Sequence, residues 1–148
     1  MTVAVLFISA NPLTNSHIAI LRSAVEHLNA DKGLFVATNG EYLKRKIVKR
    51  GGGFTPEGEA IMLNKIRTIY RIGIEHGNDA LVAGALSCGA YKCPPQEVAR
   101  LFRVVMEESE FKNKFRLIVF AILEKTRSPH GLDGKYAPFY REFGTYVF

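Results

Sequence analysis

The residues best placed to do chemistry lie between Leu81 and Phe102, where the chain reads LVAGALSCGAYKCPPQEVARLF. A short apolar run, Ala80 to Ala83, opens into a loop of small residues: Gly84, Ala85, Leu86, Ser87, Cys88, Gly89 and Ala90. Pro94 and Pro95 then start an amphipathic helix. A strand, a glycine-containing loop and a helix N-terminus in that order let backbone N–H groups converge on an anion. A phosphate or diphosphate is the favoured anion, because small side chains let a ligand approach the main chain. Glycines in a strand-to-helix loop also arise for steric reasons alone, so the pattern by itself is weak. Cys88 lies inside this loop, where N–H groups would lower its pKa and make it a thiolate nucleophile, although no histidine stands in a defined relation to it. Tyr91 could stack on a base or ribose, or simply close the loop.

Two other groups of residues could carry chemistry. Glu57 and Glu59 lie close together, and paired carboxylates are what glycoside cleavage needs. Acids in a first helical turn also favour the helix dipole, which explains both without catalysis. His17 follows Asn11, Pro12 and Thr14 at the head of a helix. A histidine there can donate to a triphosphate while the dipole stabilises transition-state charge. Asn11 and Thr14 are equally ordinary helix-entry residues, and a lone His17 often only partners backbone carbonyls. Of the remaining histidines, His76 before Gly77 reads as a helix C-terminus, His27 as a solvent-facing helical residue and His130 as a loop bystander.

The segment GALSCGAYKCPPQEVARLF resembles the GA-x-GCGA-(F/Y)-x-NPP-x-x-VA-x-x-F segment of microbial-type poly(ADP-ribose) glycohydrolases, which are related to macrodomains. KIRTIYRIGIEHGNDALV upstream, and FKNKFRLIVFAILE and APFYREFG downstream, extend the likeness over roughly Met62 to Gly144. In that family the loop wraps the diphosphate of ADP-ribose, which by resemblance places the contact on Gly84, Ser87, Cys88, Gly89, Ala90 and Tyr91. Ser87 replaces a usual glycine and Cys93 a usual asparagine. The added Cβ of Ser87 falls where a bare backbone is expected. The family also places N-P-G-G-G-F before a helix carrying its catalytic Q-E-E. This chain has Gly51, Gly52, Gly53 and Phe54, but Ile61, Met62 and Leu63 stand where Q-E-E is expected, and these cannot act as acid or base. The resemblance therefore implies ADP-ribose binding with glycohydrolase activity weak or absent. Asn11, Thr14 and the Gly51 to Phe54 loop could complete the crevice, which should open at the carboxyl ends of the strands.

The first fifty residues are similar to a different group. SANPLTNSHIAILRSAVEHLNADKGLFVATNGEYLKRK resembles the start of nucleotidylyltransferases, including nicotinamide-mononucleotide adenylyltransferases, through Asn11, Pro12, Thr14 and His17. That likeness implies a transferase using His17 and a magnesium-bound nucleoside triphosphate. The family's later I-S-S-T-x-x-R motif has only a poor counterpart in EKTRSPHG, with Arg127 as its cation. The chain thus reads as a composite of the two, and an idle structural module is a third reading.

The elements that must position these residues alternate strand and helix. Val3 to Ser9, Leu34 to Ala37, Ala80 to Ala83 and Arg116 to Leu123 read as strands. Ser16 to Asn29, Pro56 to His76 and Pro95 to Glu107 read as helices, Tyr42 to Val48 as a short basic helix and Ala137 to Tyr146 as a helical tail. Such alternation implies an α/β three-layer sandwich with a mainly parallel sheet of about four or five strands, macrodomain- or Rossmann-like, in one domain. The most linker-like point is KRGGGFTP, Lys49 to Pro56. Phe139 and Phe143 fit the core better than the mouth of the site.

The 148 residues are 47% apolar and 23% charged, ordinary proportions for a globular domain able to bury a core. No run of about eighteen apolar residues predicts a membrane span. MTVAVLFISANP lacks the basic start of a signal peptide. Two cysteines five positions apart, with no partners at metal-ligand spacing, fit a reduced cytoplasmic protein. Part of the net charge of +6 is the run Lys44, Arg45, Lys46, Lys49 and Arg50, a solvated face or a steering field for anions. No zinc-finger or RNA-binding signature accompanies it, so nucleic acid is not an expected partner. A nucleotide diphosphate is the expected ligand, no resident cofactor or metal is expected on that reading, and a homo-oligomer is left open.

Overall fold

The fold was analysed in a computed structural model, which describes residues 3–8, 15–37, 47–49, 52–89, 91–122 and 134–144. The described elements run β1 (Val3–Ile8), α1 (Asn15–His27), β2 (Lys32–Ala37), α2 (Pro56–Glu75), β3 (Ala80–Ala83), α3 (Pro95–Glu107), β4 (Leu117–Phe120) and α4 (Tyr136–Phe143). The strands form two parallel pairs. β1 runs beside β2 from Val3 opposite Lys32 to Ile8 opposite Ala37. β3 runs beside β4 from Ala80 opposite Leu117 to Ala83 opposite Phe120. Each pair is joined through an intervening helix, as parallel strands require, and β1 lies against β3.

Alternation along the strands sorts side chains into two layers. Leu81, Ala83, Ile118 and Phe120 join the main core with residues of α2, α3 and α4. Val82 and Val119 face the other way and meet Leu21, Ala24, Val25 and Leu28 of α1 and its end. Helices therefore cover both faces, the three-layer α/β arrangement that the sequence pattern predicts. All four residues of β3 are buried, so its short unbroken apolar run is that of a central strand.

The helices begin and end where local chemistry dictates. Thr55 caps α2, its hydroxyl accepting from Gly58 N–H at 3.0 Å, and Pro56 occupies the first turn. At the other end Gly77 takes a left-handed φ of +69°, and the N–H groups of residues 76–78 return to carbonyls of the last turn. On α3, Val98, Leu101, Phe102 and Val105 form the buried stripe. Phe102 stands at its centre, edge-on to Tyr70 at 6.4 Å and to Phe120 at 5.1 Å between ring centroids. Phe120 in turn meets Phe139 at 5.0 Å and Phe143 at 4.5 Å, so these tail aromatics do pack into the core. Among the described residues no helix is long and apolar enough to cross a membrane.

Two expectations need correction. Val48 is not helical: it forms an antiparallel bridge with Phe54. The turn between them closes through Gly52 N–H to Lys49 O at 3.1 Å and Lys49 N–H to Gly53 O at 2.9 Å, with Gly52 and Gly53 at φ +86° and +81°. The linker-like segment thus carries a hydrogen-bonded closure between Lys49 and Gly53, and Ile47 before it and Phe54 after it are both buried in the main core. Residues 42–46, the rest of that predicted helix, lie outside the described residues.

Candidate functional site

The loop over residues 84–93 leaves the carboxyl end of β3 and returns into α3. Its path is set by Cys88 N–H to Ala85 O at 3.1 Å, Lys92 N–H to Gly89 O at 3.0 Å and Cys93 N–H to Ser87 O at 3.1 Å. Ser87 and Lys92 both sit in the left-handed region, at φ +61° and +52°. Gly84 is half-buried at the strand end, whereas Gly89 and Tyr91 are exposed on the outer side of the loop.

Gly89 differs from Gly52, Gly53, Gly58, Gly73, Gly77 and Gly144, each of which has either a left-handed φ or a close neighbour at the Cβ position. Its φ lies outside the left-handed region, and a Cβ built on it would meet nothing within 4 Å. Among the described residues neither backbone conformation nor packing accounts for a glycine there. At Gly58, by contrast, a Cβ would stand 2.2 Å from the Ile47 carbonyl oxygen.

The expectation that Cys88 is a reactive thiolate is overturned. Cys88 is wholly buried, its Sγ placed 3.5 Å from Leu86 O, and burial pushes its pKa well up. Desolvation outweighs whatever the neighbouring N–H groups offer. Cys93 is buried as well, and burial, opposed by Lys65, pushes its thiol up to about 11. The Lys65 Nζ is itself covered and has no hydrogen-bond partner among the described residues. Its pKa is lowered by that burial, with the Cys93 charge acting in the opposite sense.

The glycine turn at 52–54 is brought to the same end of α3. Phe54 N–H donates to Glu97 Oε2 at 3.2 Å, and Glu97 Oε1 lies 3.2 Å from the position of a Cβ on Gly53. The bare backbone at Gly53 therefore lets a first-turn acid of α3 reach the turn. Glu97 escaped the reading of the sequence. Its place just after the two prolines was visible, but its partner stands 43 residues away. The Phe54 ring is buried in the main core and its amide is engaged by Glu97.

The candidate acids are placed differently. Glu59 pairs with Arg100 of α3 at 3.1 Å, and Glu57 is exposed in the first turn of α2. Met62, in the stretch where the glycohydrolase pattern expects Q-E-E, is wholly buried in the main core, with Ile61 and Leu63 packed against it. His17 lies in the first turn of α1, and its side chain is outside the described residues, as are Asn11, Thr14, Gly51 and Ala90. Among the described residues no group of three metal-ligating side chains occurs. A cavity of about 410 Å³ lies elsewhere, between α3, α4 and β4, and none of the predicted site residues lines it.

No protein-family model matches the chain, and no curated protein matches it. Solved structures do. A crystal structure of poly(ADP-ribose) glycohydrolase from Deinococcus radiodurans in complex with ADP-ribose aligns over 59% of this chain at 28% identity, with a TM-score of 0.51. That alignment covers 33% of the glycohydrolase chain. In another crystal form the same enzyme, again with ADP-ribose, aligns over 95% of this chain and 75% of its own, with a TM-score of 0.57 and 16% identity. A point variant of it aligns over the same shares with a TM-score of 0.58. The fold is thus shared with that glycohydrolase, and one known structure accompanies the chain through its first third as well as the remainder. Nothing in these comparisons supports the nucleotidylyltransferase likeness of residues 1–50.

Proposed function

We propose that this chain binds ADP-ribose, or a related nucleotide with a diphosphate, on the 84–91 loop, with glycohydrolase activity weak or absent. The observation that carries the reading is Gly89, a bare and exposed backbone position that nothing among the described residues requires to be bare. A ligand lying against the main chain does require it. The loop follows the carboxyl end of a central parallel strand, where open α/β sheets bind their ligands. The glycine turn at 52–54, held by Glu97, flanks the same helix N-terminus and forms part of the crevice. The 28% identity to a glycohydrolase crystallised with ADP-ribose supports that ligand. Weak or absent hydrolysis follows from the apolar residues at 61–63 and from the engagement of Glu59 by Arg100. This reading takes the whole chain as one α/β domain.

Thermal unfolding with ADP-ribose, NAD and ATP, each with and without magnesium, tests it. ADP-ribose at about a hundred times its Kd should stabilise by about 2.7 kcal/mol, a rise in Tm of about 5 °C or more, with no need of magnesium. Stabilisation by ATP and magnesium alone would overturn the reading and favour the His17 chemistry. No response to any of the three would leave the fold without this ligand.

A further inference from the structure

We propose that Ser87 and Lys65 form a reserve of hydrogen-bond donors beneath the 84–93 loop, used to hold an anionic phosphate oxygen of the bound ligand. This rests on the reading of the loop as a diphosphate site and assigns to it two side chains that the loop's backbone chemistry does not include. Ser87 is 5% exposed, and its Oγ has no hydrogen-bond partner among the described residues. It also holds a φ of +61°, a conformation that glycine adopts without penalty and serine does not. Lys65 stands on α2 near enough to Cys93 to interact electrostatically with it, and its Nζ is likewise covered and unpartnered among the described residues.

Cys93 links the two. Its N–H donates to Ser87 O at 3.1 Å, and its thiol is within electrostatic range of Lys65. That thiol is no counter-ion near neutrality, because burial keeps it protonated to about pH 11. The cluster therefore holds an ammonium with three donors and a hydroxyl with one, and is short of acceptors. Buried donors without acceptors destabilise the unliganded protein. Folding alone would be better served by glycine at 87 and an apolar side chain at 65. An anionic oxygen supplies both the acceptors and the missing negative charge. Reaching it takes a rotation between staggered wells of the Ser87 side chain and a swing of the flexible Lys65 stem, both fast and local movements.

Calorimetric titration with ADP-ribose, paired with thermal unfolding, on wild type, Ser87→Ala and Lys65→Met separates this role from a structural one. Each variant should melt at or above the wild-type temperature and yet bind ADP-ribose about tenfold more weakly, the loss expected of a charge-assisted hydrogen bond. Binding within twofold of wild type in both variants overturns the inference and leaves the loop reading intact. Weaker binding together with a lower Tm shows instead that the two groups support the fold, and also overturns it. Absence of ADP-ribose binding in the wild type overturns the loop reading and this inference with it. Should Lys65→Met fail to fold, Ser87→Ala decides alone.

Discussion

The two sides of α3 are built to different standards. Along the face it shares with α2 the charges are matched: Arg67 grips Glu108 through paired hydrogen bonds of 2.9 and 2.7 Å, and Glu59 meets Arg100 at 3.1 Å. Arg71 similarly holds Glu110 at 2.8 Å. At the helix N-terminus a few residues away the reverse holds. Among the described residues Ser87 and Lys65 are covered without acceptors, Ser87 and Lys92 take left-handed backbone angles that disfavour them, and a Cβ on Gly89 would meet nothing within 4 Å. The difference is one of degree, since the Tyr70 hydroxyl in the core between α2 and α3 is also buried without a hydrogen-bond partner among the described residues. On the proposed reading, a ligand at the loop would supply what is missing there. The same contrast separates two glycines. Gly58 is bare because the Ile47 carbonyl occupies the place of a Cβ, and Gly89 is bare where none of the described residues comes within 4 Å of one.

This contrast can be broken by substitution. The largest effect belongs to Gly58→Ala, which must push the Ile47 carbonyl aside; it should destabilise by about 2–3 kcal/mol in urea unfolding. A change below about 0.5 kcal/mol would show that the turn at 47–54 yields freely. Next comes Glu97→Ala, which strips the acceptor from Phe54 N–H and frees the glycine turn. A loss of about 1–2 kcal/mol is expected, together with weaker ADP-ribose binding in calorimetry. Unchanged affinity would remove the 52–54 turn from the site.

A third test uses pH. The Cys93 pKa is raised from 9.0 to about 11, so the folded state holds its proton longer than the unfolded chain does. The resulting stability is fully present below pH 9.0 and is lost as pH rises towards 11. Lys65, with its pKa depressed, works in the opposite sense and gains stability as pH rises. Thermal unfolding from pH 8 to 11 should therefore show a fall in wild type that is smaller in Cys93→Ala; equal falls would place the thiol in a more polar setting. The smallest effect is expected for Glu59→Gln. An exposed ion pair contributes at most about 1 kcal/mol, so stability should barely move and ADP-ribose affinity should hold. A large loss of affinity would return Glu59 to the site.

Where chemistry is local, the sequence already carried the fold. The four apolar residues of β3, the small-residue loop and the two prolines before α3 announced a strand-to-helix crossing, and Gly77 marked the end of α2. Alternation of strands and helices implied helices on both faces, which the opposite directions of Val82 and Leu81 bear out. What escaped depends on burial or on distant partners. Lysine and arginine are good helix formers, so the helix predicted from Tyr42 was carried on to Val48, which instead bridges Phe54. Nothing local reveals that Ile47 and Phe54 share one core and draw the chain into a turn. The N–H groups around Cys88 were visible in the sequence, but the burial that overrides them was not. Glu97 looked like an ordinary first-turn acid until its bond to Phe54, 43 residues away, appeared.

The most direct test of the central claim is calorimetric titration of ADP-ribose into wild type and Gly89→Val side by side, with urea unfolding of both. Because a side chain at 89 meets open space, the variant should keep its stability within about 0.5 kcal/mol and lose measurable binding, while the wild type shows a saturable one-to-one isotherm. Equal affinity in the two proteins would contradict the account, since a ligand that tolerates valine at 89 does not lie against the bare backbone of this loop.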